Sequence, residues 1–324
     1  MFKVTLANKK HFKIDSEVSI FDGAKQSGLC LEHSCLSGRC RSCLAKVITG
    51  RTEKINLDLV LSEKETQEGY ILTCNTIAKS NLELDIIDLE DLTNIKKIIV
   101  PSKIDSIKIH SKDMMVLVLR LPLNNLFKFI PGQYVNIIKG AIKRSYSLAS
   151  LEVKEEKLSF FIKNYYHGVM SDYLFKRAKV GDLLRLEGPL GTFFYRNNEI
   201  CERVIFLATG TGIAPIKSIL DNFEKNPKLV ANKEILLFWG QREVENFFWQ
   251  PQYKYIQMNY YPVLSGSNHS WLGEIGHIQD VLFERNLDLS KSDIYACGSA
   301  KMIKSARKIF SEANFYSDSF LISN

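Results

Sequence analysis

Cys35-Leu36-Ser37-Gly38-Arg39-Cys40-Arg41-Ser42-Cys43 is a C-x4-C-x2-C run, and a fourth cysteine, Cys74, returns 31 residues later in Leu72-Thr73-Cys74-Asn75. Three thiols on one tight loop with a distant fourth is the ligand spacing of an iron–sulfur cluster of the plant type. Gly38 suits the turn, because a residue without a side chain lets backbone N–H groups point at sulfur. Cys35, Cys40, Cys43 and Cys74 are therefore the expected iron ligands, and the rest of the chain can be read as apparatus for placing electrons on that centre.

The competing reading is a zinc site or a cluster of buried structural thiols. Zinc sites present a C-x2-C pair answered by a second pair or by histidines, whereas Cys74 stands alone as the answering ligand. Cys30 and Cys201 fall outside the spacing and are expected to be buried structural thiols.

A chain of 324 residues with 45% hydrophobic content can bury two or three cores. No apolar run reaches the ~18–20 residues of a membrane span. The start alternates like a strand and leads into no apolar signal core. Seven cysteines, an odd number with metal-type spacing, fit a reducing, cytoplasmic setting. The net charge of +7 lies beyond residue 92, the first 92 residues being slightly acidic. No basic stripe interleaved with aromatics points to nucleic acid.

Around the cysteine loop, strands are expected over 2–6, 11–14, 45–48, 70–73 and 82–86, with a short helix over 19–28 and a helical turn capped by Ser62. That order predicts a β-grasp ferredoxin-type domain over 1–92. After a polar linker at 90–94, short alternating strands over 96–100, 114–121, 133–138, 145–149, 158–163 and 183–186 predict an antiparallel β-barrel domain, 96–198. From about Cys201 unbroken apolar runs at 204–208, 235–239, 260–264 and 294–297 alternate with helical segments. This predicts a doubly wound α/β parallel-sheet domain, 199–324.

Four signals in the later part carry chemistry. In Arg144-Ser145-Tyr146-Ser147, strand geometry puts Arg144 and Tyr146 on one face with Ser147 just beyond. That supplies a cation for a pyrophosphate, a ring to pack on a flavin and a hydroxyl donor. Gly168-Val169-Met170-Ser171 opens a helix whose first N–H groups could meet phosphate, although by itself the stretch is better read as an ordinary Ser-capped helix start. Gly210-Thr211-Gly212-Ile213-Ala214-Pro215 ends a buried strand where open α/β sheets bind ligands. It departs from G-x-G-x-x-G, since Pro215 takes the third glycine's place. Cys297-Gly298-Ser299 ends another strand facing the same crevice.

In this order the four motifs resemble the ferredoxin–NADP reductase superfamily. With the iron–sulfur segment ahead of them, the chain resembles its iron–sulfur flavoprotein reductase components, over essentially its whole length. The resemblance implies that Arg144 holds the FAD pyrophosphate, Tyr146 lies against the flavin and Ser147 near its N5, with 168–171 closing over the pyrophosphate. Gly210, Thr211 and Gly212 would line the nicotinamide dinucleotide site, with Cys297 and Gly298 close to the nicotinamide. The segment 315–320 resembles the family's terminal aromatic segment, with Phe320 shielding the flavin. Many relatives carry Glu where this chain has Asp318, and some carry Tyr where it has Phe320.

Gln133-Tyr134, 187–194, 295–299 and 315–320 further resemble one subgroup, the CDP-6-deoxy-L-threo-D-glycero-4-hexulose-3-dehydrase reductases of dideoxysugar biosynthesis. The implied activity is an NADH-dependent oxidoreductase that passes electrons through FAD and a [2Fe–2S] cluster to a dehydrase. Reductases of ring-hydroxylating or di-iron oxygenases share the layout. A non-enzymatic metal-binding module leaves both glycine loops unexplained. NADPH stays open, since Arg242 could meet a 2′-phosphate that the adjacent Glu243 would repel.

Overall fold

The computed structural model describes residues 1–39, 41–56, 60–92, 95–123, 125–151, 156–266 and 270–320, the side chain of Phe320 excepted. The chain divides into two compact units, Met1–Lys96 and Lys97–Asn324.

In the first unit β1 (Phe2–Thr5) and β2 (His11–Ile14) form a hairpin around the polar turn at Asn8. The alternating burial of β2 turns Phe12 and Ile14 inward. Helix α1 (Ile20–Gln26) starts where the Ser19 side chain accepts the Asp22 N–H at 3.0 Å. It lies so close to β2 that a β-carbon on Gly23 would stand 2.7 Å from Ile14. Strands β3 (Leu44–Thr49), β4 (Thr52–Lys54), β5 (Tyr70–Leu72), β6 (Thr76–Ala78) and β7 (Leu82–Leu84) follow, with α2 (Glu63–Gln67) ahead of β5. The main sheet runs β2-β1-β7-β3-β5, with β1 and β7 parallel and the other pairs antiparallel; β4 and β6 pair separately. A mixed sheet with one helix packed on it through Ile20, Phe21 and Ala24 is the β-grasp expected. The expected polar linker is in part a 3-10 turn, Glu90–Leu92, because Leu92 is buried; Thr93 and Asn94 lie outside the described residues.

The second unit opens with an antiparallel sheet of order β11-β10-β13-β8-β9-β12. Its strands are β8 (Ile98–Ser111), β9 (Met114–Arg120), β10 (Tyr134–Lys139), β11 (Ile142–Ser147), β12 (Lys157–Lys163) and β13 (Leu183–Leu190). A bridge between Leu148 and Phe160 links the two ends of this order, closing a barrel around a core that includes Leu117, Leu119, Phe160 and Leu186. The expected strand at 96–100 is in fact fourteen residues long. Pro101, one residue past the expected end, stays in register opposite Arg185, and irregularities between Ile104 and Ser106 and between Ile109 and Ser111 bend the strand without ending it. Between β12 and β13 lies a single helical turn, α3 (Val169–Asp172), running into a π-helical turn at Tyr173–Arg177.

The remaining sheet is entirely parallel, in the order β17-β16-β15-β14-β18-β19. It comprises β14 (Arg203–Thr209), β15 (Glu234–Gln241), β16 (Asn259–Leu264), β17 (Glu274–Ile275), β18 (Ser292–Ser299) and β19 (Asn314–Phe320). The unbroken apolar run of β14 has a direct cause. Val204, Phe206 and Ala208 pack on the face covered by α4 (Ile213–Lys225). Ile205 and Leu207 pack on the face covered by α5 (Ile278–Phe283) and α6 (Ala300–Ile309). Both faces being dry, alternation disappears. The order reverses direction between β14 and β18, which opens a crevice at their carboxyl ends.

Candidate functional site

The cysteine loop is shaped by backbone that a run of ordinary residues would resist. Leu36, Gly38 and Arg41 all have positive φ, at 52°, 71° and 65°. The N–H groups of Ser37 and Arg39 each point at the Cys35 sulfur from 3.4 Å. Cys43 and Cys74 meet at 3.3 Å between sulfurs. The Cys74 thiol is held below its ordinary pKa, chiefly by the Cys43 thiol and also by the backbone N–H of Gly38, against the effect of burial. Cys40 lies outside the described residues. Among the described residues no three such side chains complete a metal-holding set by themselves. Soft sulfur donors ringed by N–H groups nonetheless match what an iron–sulfur centre requires. Cys201 is buried as expected, but Cys30 is only half-buried, its N–H donating to Asp88 Oδ1 at 2.7 Å.

In the barrel, β11 pairs with β10 so that Tyr146 faces Val135 and Arg144 faces Ile137, which puts Arg144 and Tyr146 on one face. Burial, with Tyr165 as a lesser cause, drives the Tyr146 phenol far above its ordinary value. The Arg144 guanidinium donates to its neighbour's carbonyl, Lys143 O, at 2.8 Å. Ser147 Oγ is buried without a hydrogen-bond partner among the described residues. An orphaned buried hydroxyl is costly unless something else satisfies it, so this strand fits a ligand atom arriving at Ser147.

The opposite face of β11 is tied down by residues the sequence did not single out. Ser145 Oγ donates to Asn136 Oδ1 at 2.7 Å, and Asn136 Nδ2 donates to Glu187 Oε2 at 2.8 Å. Glu187 also pairs with Lys97 and Lys143. These partners, the Lys143 ammonium first, pull the buried carboxyl down to about 2. A glutamate one residue before Gly188-Pro189 on a strand gives no local signal, because its partners come from three separate segments.

The expected helix N-terminus at Gly168 is a four-residue turn. Ser171 does not cap it; its hydroxyl accepts the Tyr165 N–H at 3.1 Å. Met170 and Ser171 are buried, leaving Gly168 and Val169 as the accessible part of the expected 168–171 segment.

At the carboxyl end of β14, Gly210 adopts φ 57° with nothing among the described residues within 4 Å of where a β-carbon would stand. Gly212, expected to line the dinucleotide site, makes its close backbone approach to the protein: a β-carbon there would stand 2.1 Å from Cys297 O. Gly298 is used likewise, with φ 142° and a would-be β-carbon 2.1 Å from Thr209 Oγ1, which accepts the Ser299 N–H at 3.0 Å. Trp239 Nε1 donates to Gly210 O at 2.9 Å. The two glycine loops therefore hold each other, and the open space lies over Gly210.

Cys297 ends β18 as expected, yet its thiol is completely buried and does not face an open crevice. Burial first, and Asp318 beside it in register, push its pKa well above the ordinary value. Residues 315–320 lie in the edge strand β19, which pairs in parallel with β18 and puts Phe320 in register with Ser299. The Gly210–Gly212 turn also lies against β12, the strand bridged to Leu148 just after Ser147. One barrel strand thus connects the Arg-Ser-Tyr-Ser segment to the glycine loops.

Comparison with known proteins agrees on all three parts. The 2Fe-2S iron-sulfur cluster binding domain matches residues 4–79, the oxidoreductase FAD-binding domain 101–195 and the oxidoreductase NAD-binding domain 206–308. The chain is 35% identical over 322 residues to the CDP-6-deoxy-L-threo-D-glycero-4-hexulose-3-dehydrase reductase of Yersinia pestis, covering 96% of this chain and 95% of that one. The chain belongs to the iron–sulfur flavoprotein reductases.

The reductase is also 27% identical to the anthranilate 1,2-dioxygenase electron transfer component of Acinetobacter baylyi, covering 96% of this chain and 94% of that protein. Its fold is shared with the ferredoxin reductase in carbazole 1,9a-dioxygenase, at a TM-score of 0.66 and 22% identity over 99% and 98% of the two chains. It is an oxidoreductase built on [2Fe–2S], FAD and NAD modules for electron transfer. Among its described residues no helix is long and apolar enough to cross a membrane.

Proposed function

We propose that this reductase takes electrons from NADH and supplies them singly to a CDP-deoxyhexulose dehydrase of dideoxysugar biosynthesis. The observation that carries the reading is the 35% identity, over nearly the full length of both chains, to a reductase of such a dehydrase. A reductase component of a ring-hydroxylating or di-iron oxygenase is the second reading, favoured by the 27% identity to a dioxygenase component.

When bound, FAD accepts a hydride and gives up electrons one at a time, and a [2Fe–2S] cluster carries single electrons at a low potential. The chain's own residues bind and orient. Arg144 would hold the FAD pyrophosphate, helped by Gly168 and Val169 at the accessible start of the 168–171 turn. Tyr146, neutral at any working pH, would pack on the flavin, and the unpartnered Ser147 hydroxyl would donate to it near N5. The open side of Gly210, with Thr211 and Gly212 behind it, would receive the nicotinamide dinucleotide. Gly298, with the buried Cys297 packed behind it, would form the floor close to the nicotinamide, and Phe320 the aromatic cover. Cys35, Cys40, Cys43 and Cys74 would hold iron.

The test is a coupled assay: purified reductase and NADH with a CDP-hexulose dehydrase, and separately with an oxygenase component. Turnover with the dehydrase at more than about tenfold the oxygenase rate is expected. The reverse order would assign the reductase to an oxygenase.

A further inference from the structure

Between the second and third cysteines of the loop, Arg41 has φ 65°. That region is unfavourable for a residue with a β-carbon, so surrounding contacts must hold it there. The contacts are specific. Arg41 Nη1 donates to Val60 O at 2.8 Å and to Glu65 Oε2 at 3.2 Å, and Nη2 donates to Glu65 Oε1. This two-pronged pair is largely shielded, with the Arg41 side chain 18% exposed and that of Glu65 29%.

Glu65 is itself immobilised. It is the third residue of α2, in a capping box where Ser62 N and Oγ donate to Oε2 at 2.8 and 2.9 Å and Ser62 Oγ accepts the Glu65 N–H at 3.2 Å. On the other side, Arg41 O accepts the Leu44 N–H at 3.1 Å and Cys43 O accepts the Thr73 N–H at 3.0 Å. The segment carrying Cys43 is thus gripped by α2 through one side chain and by the start of the Cys74 turn through the backbone.

We infer that the Arg41–Glu65 pair is a positioning clamp for the cluster loop and that Glu65 neutralises the cation the clamp places beside the iron site. The inference rests on the assignment of Cys35, Cys40, Cys43 and Cys74 as iron ligands. A permanent guanidinium next to a centre that gains negative charge on reduction favours the reduced state, and the carboxylate cancels that bias. Geometry and charge therefore make separable contributions. Glu65→Gln keeps a capping-box residue and a hydrogen-bonding side chain, so α2 is retained while the neutralising charge is lost.

Full-length holoprotein would be compared as wild type, E65Q and R41Q/E65Q. Two measurements are made: an EPR-monitored redox titration of the cluster, and the rate of iron release to an external chelator. E65Q should move the reduction equilibrium threefold to tenfold toward the reduced form, tenfold being about 59 mV for one electron. R41Q/E65Q, with the pair's net charge restored, should return to within twofold of wild type in potential. It should lose iron at least threefold faster, because the fork is gone. Unchanged potential in E65Q, or equal shifts in both variants, would overturn the charge role. An iron-release rate in R41Q/E65Q equal to wild type would overturn the clamp. Wild-type protein with neither iron nor cluster absorbance would instead overturn the ligand assignment and the inference with it.

Discussion

Gly212 lies so near the end of β18 that a β-carbon on it would stand 2.1 Å from the carbonyl oxygen of Cys297. The contact couples the two loops at the carboxyl ends of β14 and β18, so the crevice between them keeps its shape only while residue 212 is glycine. Gly212→Ala should push the loops apart and raise the KM for NADH by more than about tenfold. In the nucleotide-free protein Gly210→Ala meets nothing within 4 Å among the described residues and carries only the left-handed penalty of about 1 kcal/mol in stability, although its methyl would enter the space assigned to the dinucleotide. Steady-state kinetics with ferricyanide as acceptor read the KM, urea unfolding without nucleotide compares the stabilities of the two variants, and equal losses of stability would remove the special role of the Gly212 contact.

Ser147 offers a test in which apo and holo protein respond differently. Its hydroxyl is buried without a partner among the described residues, so Ser147→Ala should leave the melting temperature of FAD-free protein unchanged or slightly higher. The same change should slow flavin reduction by NADH in stopped flow by roughly 10²-fold if the hydroxyl donates to the flavin. A wild-type reduction rate would remove Ser147 from the site.

Cys297 should be chemically silent. Its thiol is fully buried and its pKa is pushed up by burial and by Asp318, so it stays protonated and inert at neutral pH. Iodoacetamide at pH 8 should label it only after unfolding, as read by peptide mass spectrometry. Cys297→Ala should slow hydride transfer while leaving FAD bound, at a stability cost of about 1–2 kcal/mol for the small cavity. Flavin reduction at the wild-type rate would show that the thiol acts only as filling.

Glu187 supplies the pH dependence. Its carboxyl is depressed to about 2 by Lys143 and Lys97, so the ionised form is favoured in the folded state. A depressed carboxylate contributes stability that is fully present above its unfolded pKa of ~4.3 and is lost as pH falls toward the folded value. Glu187→Gln should therefore cost about 1–2 kcal/mol at pH 7 and progressively less between pH ~4 and about 2. Urea unfolding of both proteins at pH 7 and pH 3.5 checks this. A constant difference across that range would mean that packing, and not charge, carries the effect.

The local order of elements was legible in the amino-acid sequence wherever one stretch carries its own signal. The Cys35–Cys43 spacing with Cys74 announces the iron–sulfur segment. The dry run from Val204 to Ala208 announces a strand buried on both faces, and the alternation in His11–Ile14 announces one buried on a single face. These are periodicities of 2 or of burial, and neighbours in sequence suffice to show them. Tertiary structure decided everything that depends on a partner far along the chain. Pro101 stays inside a strand, in register with Arg185, where β8 has not yet begun to pair with β9, whose register starts at Lys103. Gly212 uses its missing side chain to meet Cys297, 85 residues later. Thr209, Trp239, Glu187 and the Arg41–Glu65 pair acquire their places only when separate elements meet. The physical reason is that a strand or loop reports its own burial, whereas close backbone contacts and ion pairs belong to two segments at once.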